Sequence, residues 1–172
     1  MFGIGGGVSL AALQLAKTMG AKVIVTSRDE AKLQRALQMG ADHGIHSGTQ
    51  DVAKAVLALT GGRGVDVVIE NVGAAVWSAA MKSLVRGGRL VTCGATSGDQ
   101  PPADLRRIFI RQLQILGSTL GDHSEFRDLL VFVERHGIAP VIDSEFPLEG
   151  IHEALNRLES GQQFGKVGLD LE

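Results

Sequence analysis

The sequence opens on a cluster of glycines, Gly3-Ile4-Gly5-Gly6-Gly7, and a stretch of helical periodicity follows at once. Glycines allow a tight turn and a close approach of the backbone to a ligand. A helix that starts there offers free N–H groups and a partial positive charge, which favour a bound phosphate. The spacing is of the form G-x-x-G-x-x-small, with Gly3, Gly6 and Ser9. A glycine-rich turn without a ligand would read the same, so the motif alone leaves both interpretations open.

Short apolar runs alternate with amphipathic stretches along the rest of the chain, which is typical of βαβ units and a parallel sheet. This predicts an α/β fold. Strands are predicted over residues 22–26, 43–45, 65–70, 89–93, 113–118, 140–144 and 166–171. Helices are predicted over residues 8–19, 29–39, 51–59, 75–84, 104–111, 123–136 and 148–159, with a turn at Gly87-Gly88.

The first predicted strand after the glycines ends about 20 residues beyond them, where a dinucleotide site contacts the adenosine ribose. A site for NAD would have Asp or Glu there, to bind both ribose hydroxyls. This sequence has Thr26-Ser27-Arg28, with Lys32 one helical turn further on. A hydroxyl and cations suit a 2′-phosphate, so the residues predict NADP(H). The alternative is a solvated basic face, although positive charge is not what a helix N-terminus favours.

Several ordered segments resemble the medium-chain dehydrogenase/reductase family, the zinc alcohol dehydrogenases and their quinone-reductase-like relatives. The stretch GGGVSLAALQLAKTMGAKVIVTSRDEAKLQRALQMGAD resembles the start of its cofactor domain. VVIENVG from Val67 and GGRLVTCGA from Gly87 resemble the strands that flank the ribose and the nicotinamide. ILGST from Ile115 resembles the edge strand, and FGKV from Phe164 resembles the closing strand. The likeness covers nearly the whole chain.

The resemblance implies a Rossmann-type doubly wound parallel sheet flanked by helices. It implies hydride transfer between NADP(H) and a small-molecule alcohol, aldehyde, ketone, quinone or enone. By resemblance, the pyrophosphate is held by Gly5, Gly6, Gly7 and Val8. The 2′-phosphate is assigned to Ser27, Arg28 and Lys32, and the ribose and nicotinamide to Asn71, Gly73, Gly94, Ala95 and Thr119. The edge strand over Leu113–Ser118 implies a homodimer.

The resemblance also implies that an upstream half is missing. The first strand of the fold should precede Gly3, and only Met1 and Phe2 remain of it, so the sheet is expected to have an open apolar slot and the chain to be unstable alone. Residues 1–137 are predicted to form the NADP(H)-binding domain, and residues 138–172 to return to the missing catalytic domain. The family's zinc ligands and proton relay lie upstream, so zinc is expected only in a longer parent, and no catalytic or metal-ligating residue is assigned here.

Composition narrows the alternatives. A net charge of −2 over 172 residues gives no reason to expect nucleic acid or an anionic membrane as a partner. One cysteine cannot form an internal disulfide, so a reducing cytoplasm is expected. Short-chain dehydrogenases rely on a tyrosine, and this chain has none. A methyltransferase would place an acid where Ser27 and Arg28 stand. The remaining alternative is a dinucleotide-binding module with no catalytic activity of its own.

Overall fold

The structure, a computed structural model, describes residues 1–171 and alternates helices with strands as predicted. Seven strands form within these residues: β1 Ile24–Ser27, β2 His43–His46, β3 Val65–Glu70, β4 Leu84–Thr92, β5 Gln114–Gly117, β6 Ile142–Pro147 and β7 Lys166–Asp170. The α-helices are α1 Gly7–Thr18, α2 Glu30–Gln38, α3 Val52–Leu59, α4 Ala74–Ser83, α5 Leu105–Arg111, α6 His123–His136 and α7 Ile151–Glu159. No helix among residues 1–171 is both long and apolar enough to cross a membrane.

All strand pairs are parallel, as the buried apolar runs predict. β1 pairs with β2, β4 lies between β3 and β5, and β6 pairs with β7. The apolar run of β3 lies opposite that of β4, with Val68 beside Leu90. Each connection between neighbouring strands contains a helix, as parallel pairing requires.

The first four residues join β1 to β3. The Thr26 N–H donates to Met1 O at 3.0 Å, and the Ile4 N–H donates to Thr26 O at 2.8 Å. On the other side the Phe2 N–H donates to Ile69 O at 3.4 Å. The order is therefore β2-β1-(1–4)-β3-β4-β5, which is the Rossmann order with residues 1–4 in the place of the central strand.

The bridge shows that Gly3 and Ile4 also lie in the place of the first strand, beside the Met1 and Phe2 expected from the sequence, although no regular strand forms there among residues 1–171. Phe2 and Ile4 are 4% and 3% exposed, so the bridge is buried. On β3, Val67 is 40% exposed, whereas Val68 beside it is 3% exposed.

Two apolar cores lie on the two sides of this central position. Phe2 packs with residues of α3, α4, β3 and β4, whereas Ile4 packs with residues of α1, β1 and α2. Phe164, which follows α7, is 1% exposed and belongs to the Ile4 core. The segment predicted to return to a catalytic domain therefore also packs on the α1–α2 side. The boundary between residues 137 and 138 stays a prediction.

Local differences from the sequence prediction have simple causes. β4 begins at Leu84 rather than at Arg89, so the predicted Gly87-Gly88 turn lies inside this strand, where the register against β3 shifts and Gly87 adopts a φ of 74°. The C-terminal helix begins as a 3-10 turn over Leu148–Gly150 before α7.

β5 and α6 expose much of their apolar surface. β5 lies at the edge of its sheet, and all four of its residues are exposed. α6 buries none of its residues, and the side chains of Phe126 and Leu130 are 59% and 50% exposed. Apolar surface of this extent is typical of a face that another element covers.

Candidate functional site

A cleft of about 1160 Å³ opens beside the glycine turn, at the carboxyl ends of the strands. In open parallel sheets ligands bind where the strand order reverses. Here the order reverses at residues 1–4, which have β1 on one side and β3 on the other. The cleft is lined from the turn by Gly3, Ile4, Gly5 and Gly6, from the end of β1 by Ser27, Arg28, Asp29 and Lys32, and from later loops by Val72, Thr96, Ser97, Gly161 and Gln163.

The phosphate turn, residues Gly3–Gly7, is held by a serine rather than by a third glycine. Ser9 is buried, and its hydroxyl lies 3.1 Å from Gly3 O and 3.0 Å from Gly6 O. A serine is small enough for the close packing that the glycine normally permits. Gly5 has a φ of 119°, which side chains rarely adopt, so this position needs glycine. The departure at Ser9 therefore keeps the turn and adds hydrogen bonds to it.

The N-terminus of α1 is open, whereas that of α4 is closed. Gly6 is the N-cap of α1 and supplies no side-chain cap, and the first turn carries no acidic residue. At α4 the Ala74 N–H donates to Gly98 O at 3.0 Å and the Ala75 N–H donates to Ser97 Oγ at 3.0 Å. Since free N–H groups and the helix dipole attract anions, α1 is the helix that can bind a phosphate here.

Two lysines lie over the phosphate turn. A Cβ built on Gly5 would be 2.8 Å from Lys32 Cδ, and one built on Gly7 would be 2.8 Å from Lys166 Nζ. Lys32 also donates to Gly161 O at 2.5 Å. These ammonium groups add to the positive end of α1, an arrangement that an anion would stabilise. The turn and its lysines thus fit a pyrophosphate.

The end of β1 presents a hydroxyl and a guanidinium to the cleft. Ser27 is buried, and its Oγ accepts a hydrogen bond from the Asp29 N–H at 3.1 Å, while Arg28 is exposed. The nearest carboxylate in the chain, Asp29, caps α2 by accepting from the Ala31 N–H at 2.8 Å and the Lys32 N–H at 3.2 Å. The carboxylate of Asp29, which lines the cleft, is therefore engaged with the backbone of α2, and that of Asp51, which also lines the cleft, caps α3 by accepting from the Lys54 N–H.

The predicted ribose and nicotinamide residues follow β3, β4 and β5 at the same edge of the sheet. Asn71 and Gly94 are in contact, since a Cβ on Gly94 would be 3.0 Å from Asn71 O. A Cβ on Gly73 would be 3.0 Å from Ala95 Cα. Thr119 follows β5 and is exposed. None of these five residues lines the cleft, and neither do Gly7 and Val8 at the start of α1, where Val8 is 49% exposed.

Sequence reasoning missed the contribution of the segment before β7. Gly161 and Gln163 line the cleft, and Lys166 lies above the start of α1. The segment FGKV was identified as a strand only, and no local pattern marks a contact 160 residues away in the chain.

Among residues 1–171 no group of three or more His, Cys, Asp or Glu side chains lies close enough together to hold a metal ion.

A family model described as zinc-binding dehydrogenase matches residues 7–135, which include α1, the end of β1 and the loops after β3 and β4. The chain belongs to this family. The sequence resemblance to zinc alcohol dehydrogenases and quinone reductases is therefore confirmed, and so is the doubly wound α/β fold.

Several members of the zinc-binding dehydrogenase family are similar to this chain over its full length. A zinc-type alcohol dehydrogenase-like protein of Schizosaccharomyces pombe is 35% identical over 97% of the chain and 50% of its own length. A crystal structure of an NAD-dependent alcohol dehydrogenase is 40% identical with a TM-score of 0.91, over 99% of this chain and 50% of that one. A quinone oxidoreductase of Pseudomonas syringae pv. Tomato DC3000 is 28% identical with a TM-score of 0.84, over 99% and 55%. The chain spans about half the length of these relatives.

Proposed function

We propose that this chain is the NADP(H)-binding part of an oxidoreductase. The observation that carries the proposal is the end of β1, where Ser27 and Arg28 face the cleft and the adjacent carboxylate of Asp29 is engaged as the cap of α2. A carboxylate aimed at the ribose would repel a 2′-phosphate, whereas a guanidinium binds one through charge-assisted hydrogen bonds. One similar crystal structure is named NAD-dependent, so the cofactor preference is the point that needs a test.

The chain's own residues account for binding and orientation of the dinucleotide. The open N-terminus of α1, Lys32 and Lys166 would hold the pyrophosphate, with Gly5, Gly6, Gly7 and Val8 as its backbone contacts. Ser27 and Arg28 would hold the 2′-phosphate. Lys32, which the sequence assigns to the 2′-phosphate as well, has its side chain over Gly5 and would therefore also reach the pyrophosphate. Asn71, Gly73, Gly94, Ala95 and Thr119 would border the ribose and nicotinamide. When bound, the nicotinamide supplies hydride transfer to or from a small alcohol, aldehyde, ketone, quinone or enone.

The cofactor preference is tested by titrating NADPH and NADH against the chain and against two arginine variants. Arg28→Ala removes the charge at the end of β1, and Arg127→Ala removes the same charge on the exposed face of α6. Loss of one charged phosphate contact corresponds to roughly 10-fold weaker binding or more. We expect NADPH to bind more tightly than NADH, R28A to lose that preference and R127A to keep it. Tighter binding of NADH by the unaltered chain would refute the NADP(H) assignment.

The alternative function is a dinucleotide-binding module without chemistry of its own. It is favoured because every residue assigned above is proposed as a cofactor contact, and none is assigned to proton transfer. A hydride-transfer assay on the 172-residue chain and on a protein that carries the upstream half separates the two functions. We expect activity only in the longer protein, whose zinc content can be measured in the same sample. Inactivity of both proteins toward all of the substrate classes above would favour the module.

We also propose that the protein forms a homodimer through the edge strand predicted over Leu113–Ser118, in the cytoplasm. In support, β5 is an edge strand with exposed side chains, and such edges are templates for strand pairing. Leu116→Lys places a charge on this edge, and Leu155→Lys places one on α7, where the leucine is about equally exposed. Sedimentation should show a dimer that L116K converts to monomer and L155K leaves intact. A monomeric unaltered chain would contradict this proposal.

A further inference from the structure

Residues 161–166, which run from the end of α7 to the first residue of β7, contact the phosphate turn at two points and α2 at a third. The Gly165 N–H donates to Gly5 O at 2.9 Å, Gly161 O accepts from Lys32, and Lys166 lies over Gly7. We call residues 161–166 the closing loop. Because its backbone and side chains form one wall of the cleft, its position decides whether Lys166 and Gln163 meet a bound pyrophosphate.

One carboxylate, that of Asp143 on β6, holds the closing loop. Its side chain is 2% exposed, and its Oδ1 accepts from the Phe164 N–H in the middle of the loop at 2.9 Å. Arg157 on α7 binds it through two nitrogens, with Nε 2.9 Å from Oδ2 and NH2 3.2 Å from Oδ1. Asp143 therefore ties the loop to the helix that precedes it and to the strand that pairs with β7.

The same carboxylate links the loop to α2, which carries Lys32. Arg35, three residues after Lys32, has its NH1 3.8 Å from Asp143 Oδ1. Its guanidinium also lies over the ring of Phe164, 4.2 Å from the centroid. Phe164 is buried in the Ile4 core, so the loop is fixed on both sides. Asp143 lies outside the lining of the cleft, and it also accepts from Ser144 Oγ on its own strand at 3.2 Å.

We propose that Asp143 is a positioning residue for the cofactor site, which holds the closing loop on the phosphate turn so that Lys166 and Lys32 meet the pyrophosphate together. This inference rests on the proposed dinucleotide function. A purely structural salt bridge would lower stability without changing the affinity of the folded protein for NADPH. The distinction is measurable because an asparagine keeps the size of the side chain and an acceptor for the Phe164 N–H. It removes the charge that pairs with the two arginines, and its NH2 group replaces the oxygen that accepts from Arg157 Nε and Ser144 Oγ.

The test compares Asp143→Asn with two matched variants of the full chain. Asp66→Asn breaks an exposed Asp–Arg pair, in which Arg63 NH2 lies 2.6 Å from Asp66 Oδ1. Leu90→Ala removes a fully buried side chain from the other core, so it lowers stability without touching the loop. For each folded variant, hydrogen exchange at residues 161–166 and the Kd for NADPH are measured. We expect D143N, but neither D66N nor L90A, to speed hydrogen exchange in the loop and to raise the Kd about 10-fold. Arg157→Gln should have the same two effects. The double variant, D143N with R157Q, should show effects no larger than those of either single variant.

The outcomes separate the inference from the function on which it rests. If D143N leaves loop exchange unchanged, or raises it while the Kd stays as in the unaltered chain, the positioning role is wrong and the proposed function stands. If L90A raises the Kd as much as D143N, general destabilisation explains the effect and the inference is overturned. If the unaltered chain binds neither NADPH nor NADH, the proposed function fails, and the cofactor role of Asp143 fails with it even where the loop loosens.

Discussion

The amino group of Met1 is buried in the sheet. Acetylation of this amino group should change the pH dependence of the free energy of unfolding. In a polypeptide that starts at Met1, this group donates to Ile24 O at 2.7 Å. Burial lowers its pKa from 8.0 to about 5. An Nα-acetyl group keeps the N–H donor and removes the titrating amine. The comparison therefore isolates one buried charge in the place of the central strand.

The sign and size of the effect follow from proton linkage. Between about pH 5 and pH 8 the unfolded chain binds more protons at this amine than the folded chain, so stability rises with pH across that window. A pKa drop from 8.0 to about 5 corresponds to about 4 kcal/mol at ~1.36 kcal/mol per pKa unit, lost in full below pH 5. Between pH 8.5 and pH 5.5 the expected loss is about 3 kcal/mol.

Trp77 provides the assay, because it is the only tryptophan and is buried in the core that contains Phe2. Urea unfolding followed by its fluorescence gives the free energy of unfolding at pH 5.5 and pH 8.5 for the free and the acetylated chains. The histidines and carboxylates titrate in both chains, so the difference between the two pH dependences belongs to the amine. Equal pH dependence in the two chains would refute the assignment of a buried, neutral amine to the sheet.

Three further predictions concern positions where the structure gives a specific constraint. Gly73→Ala should destabilise by on the order of 2–4 kcal/mol, because a Cβ would overlap Gly98 O at a φ of 93°; a variant as stable as the parent in urea would contradict this. Ser9→Ala should lower the free energy of unfolding by about 1–2 kcal/mol, because it removes the hydrogen bonds of the hydroxyl in the phosphate turn. Thermal melting measures this, and an unchanged melting temperature would contradict it. Hydrogen bonds from Arg157 lower the pKa of Asp143 from 3.8 to about 2, so about 2 kcal/mol of stability should be lost as pH falls from about 4 to 2; an Asp143→Asn chain that loses as much over that range would argue against it.

Most of the fold could be predicted because its signals are local. Glycines end α1 and α2, and Gly20 and Gly40 take the positive φ values that such helix ends favour. Asp51 caps α3 through the Lys54 N–H, and Asp122 forms a capping box at α6. Apolar runs of four to six residues then give the parallel strands between the helices. Each of these signals depends only on residues that are close together in the chain, so it can be recognised from the sequence.

The parts that failed depend on contacts between distant residues. The Gly-Gly pair indicates a turn, but only the pairing of Leu84 with Val65 and of Arg89 with Val67 shows that this turn lies within one strand. The bridge through residues 1–4 depends on two neighbouring strands at once. The closing loop reaches the phosphate turn because Phe164 is buried against α1 and α2, and its apolar character alone does not show which helices it meets.

The charges around the phosphate turn are mostly positive, so they favour a bound anion. The positive end of α1, Lys32 and Lys166 converge on the turn, and the carboxylates that adjoin it are engaged elsewhere, Asp29 with the backbone of α2 and Asp143 with arginines. Like charges held together raise the free energy of the unliganded site, and a bound dianion relieves that repulsion. Binding of a dinucleotide should therefore draw the closing loop and α2 together, because Lys166 belongs to the first and Lys32 to the second. The affinity of the turn for its ligand and the order of the C-terminal segment are in this way two consequences of the same charges.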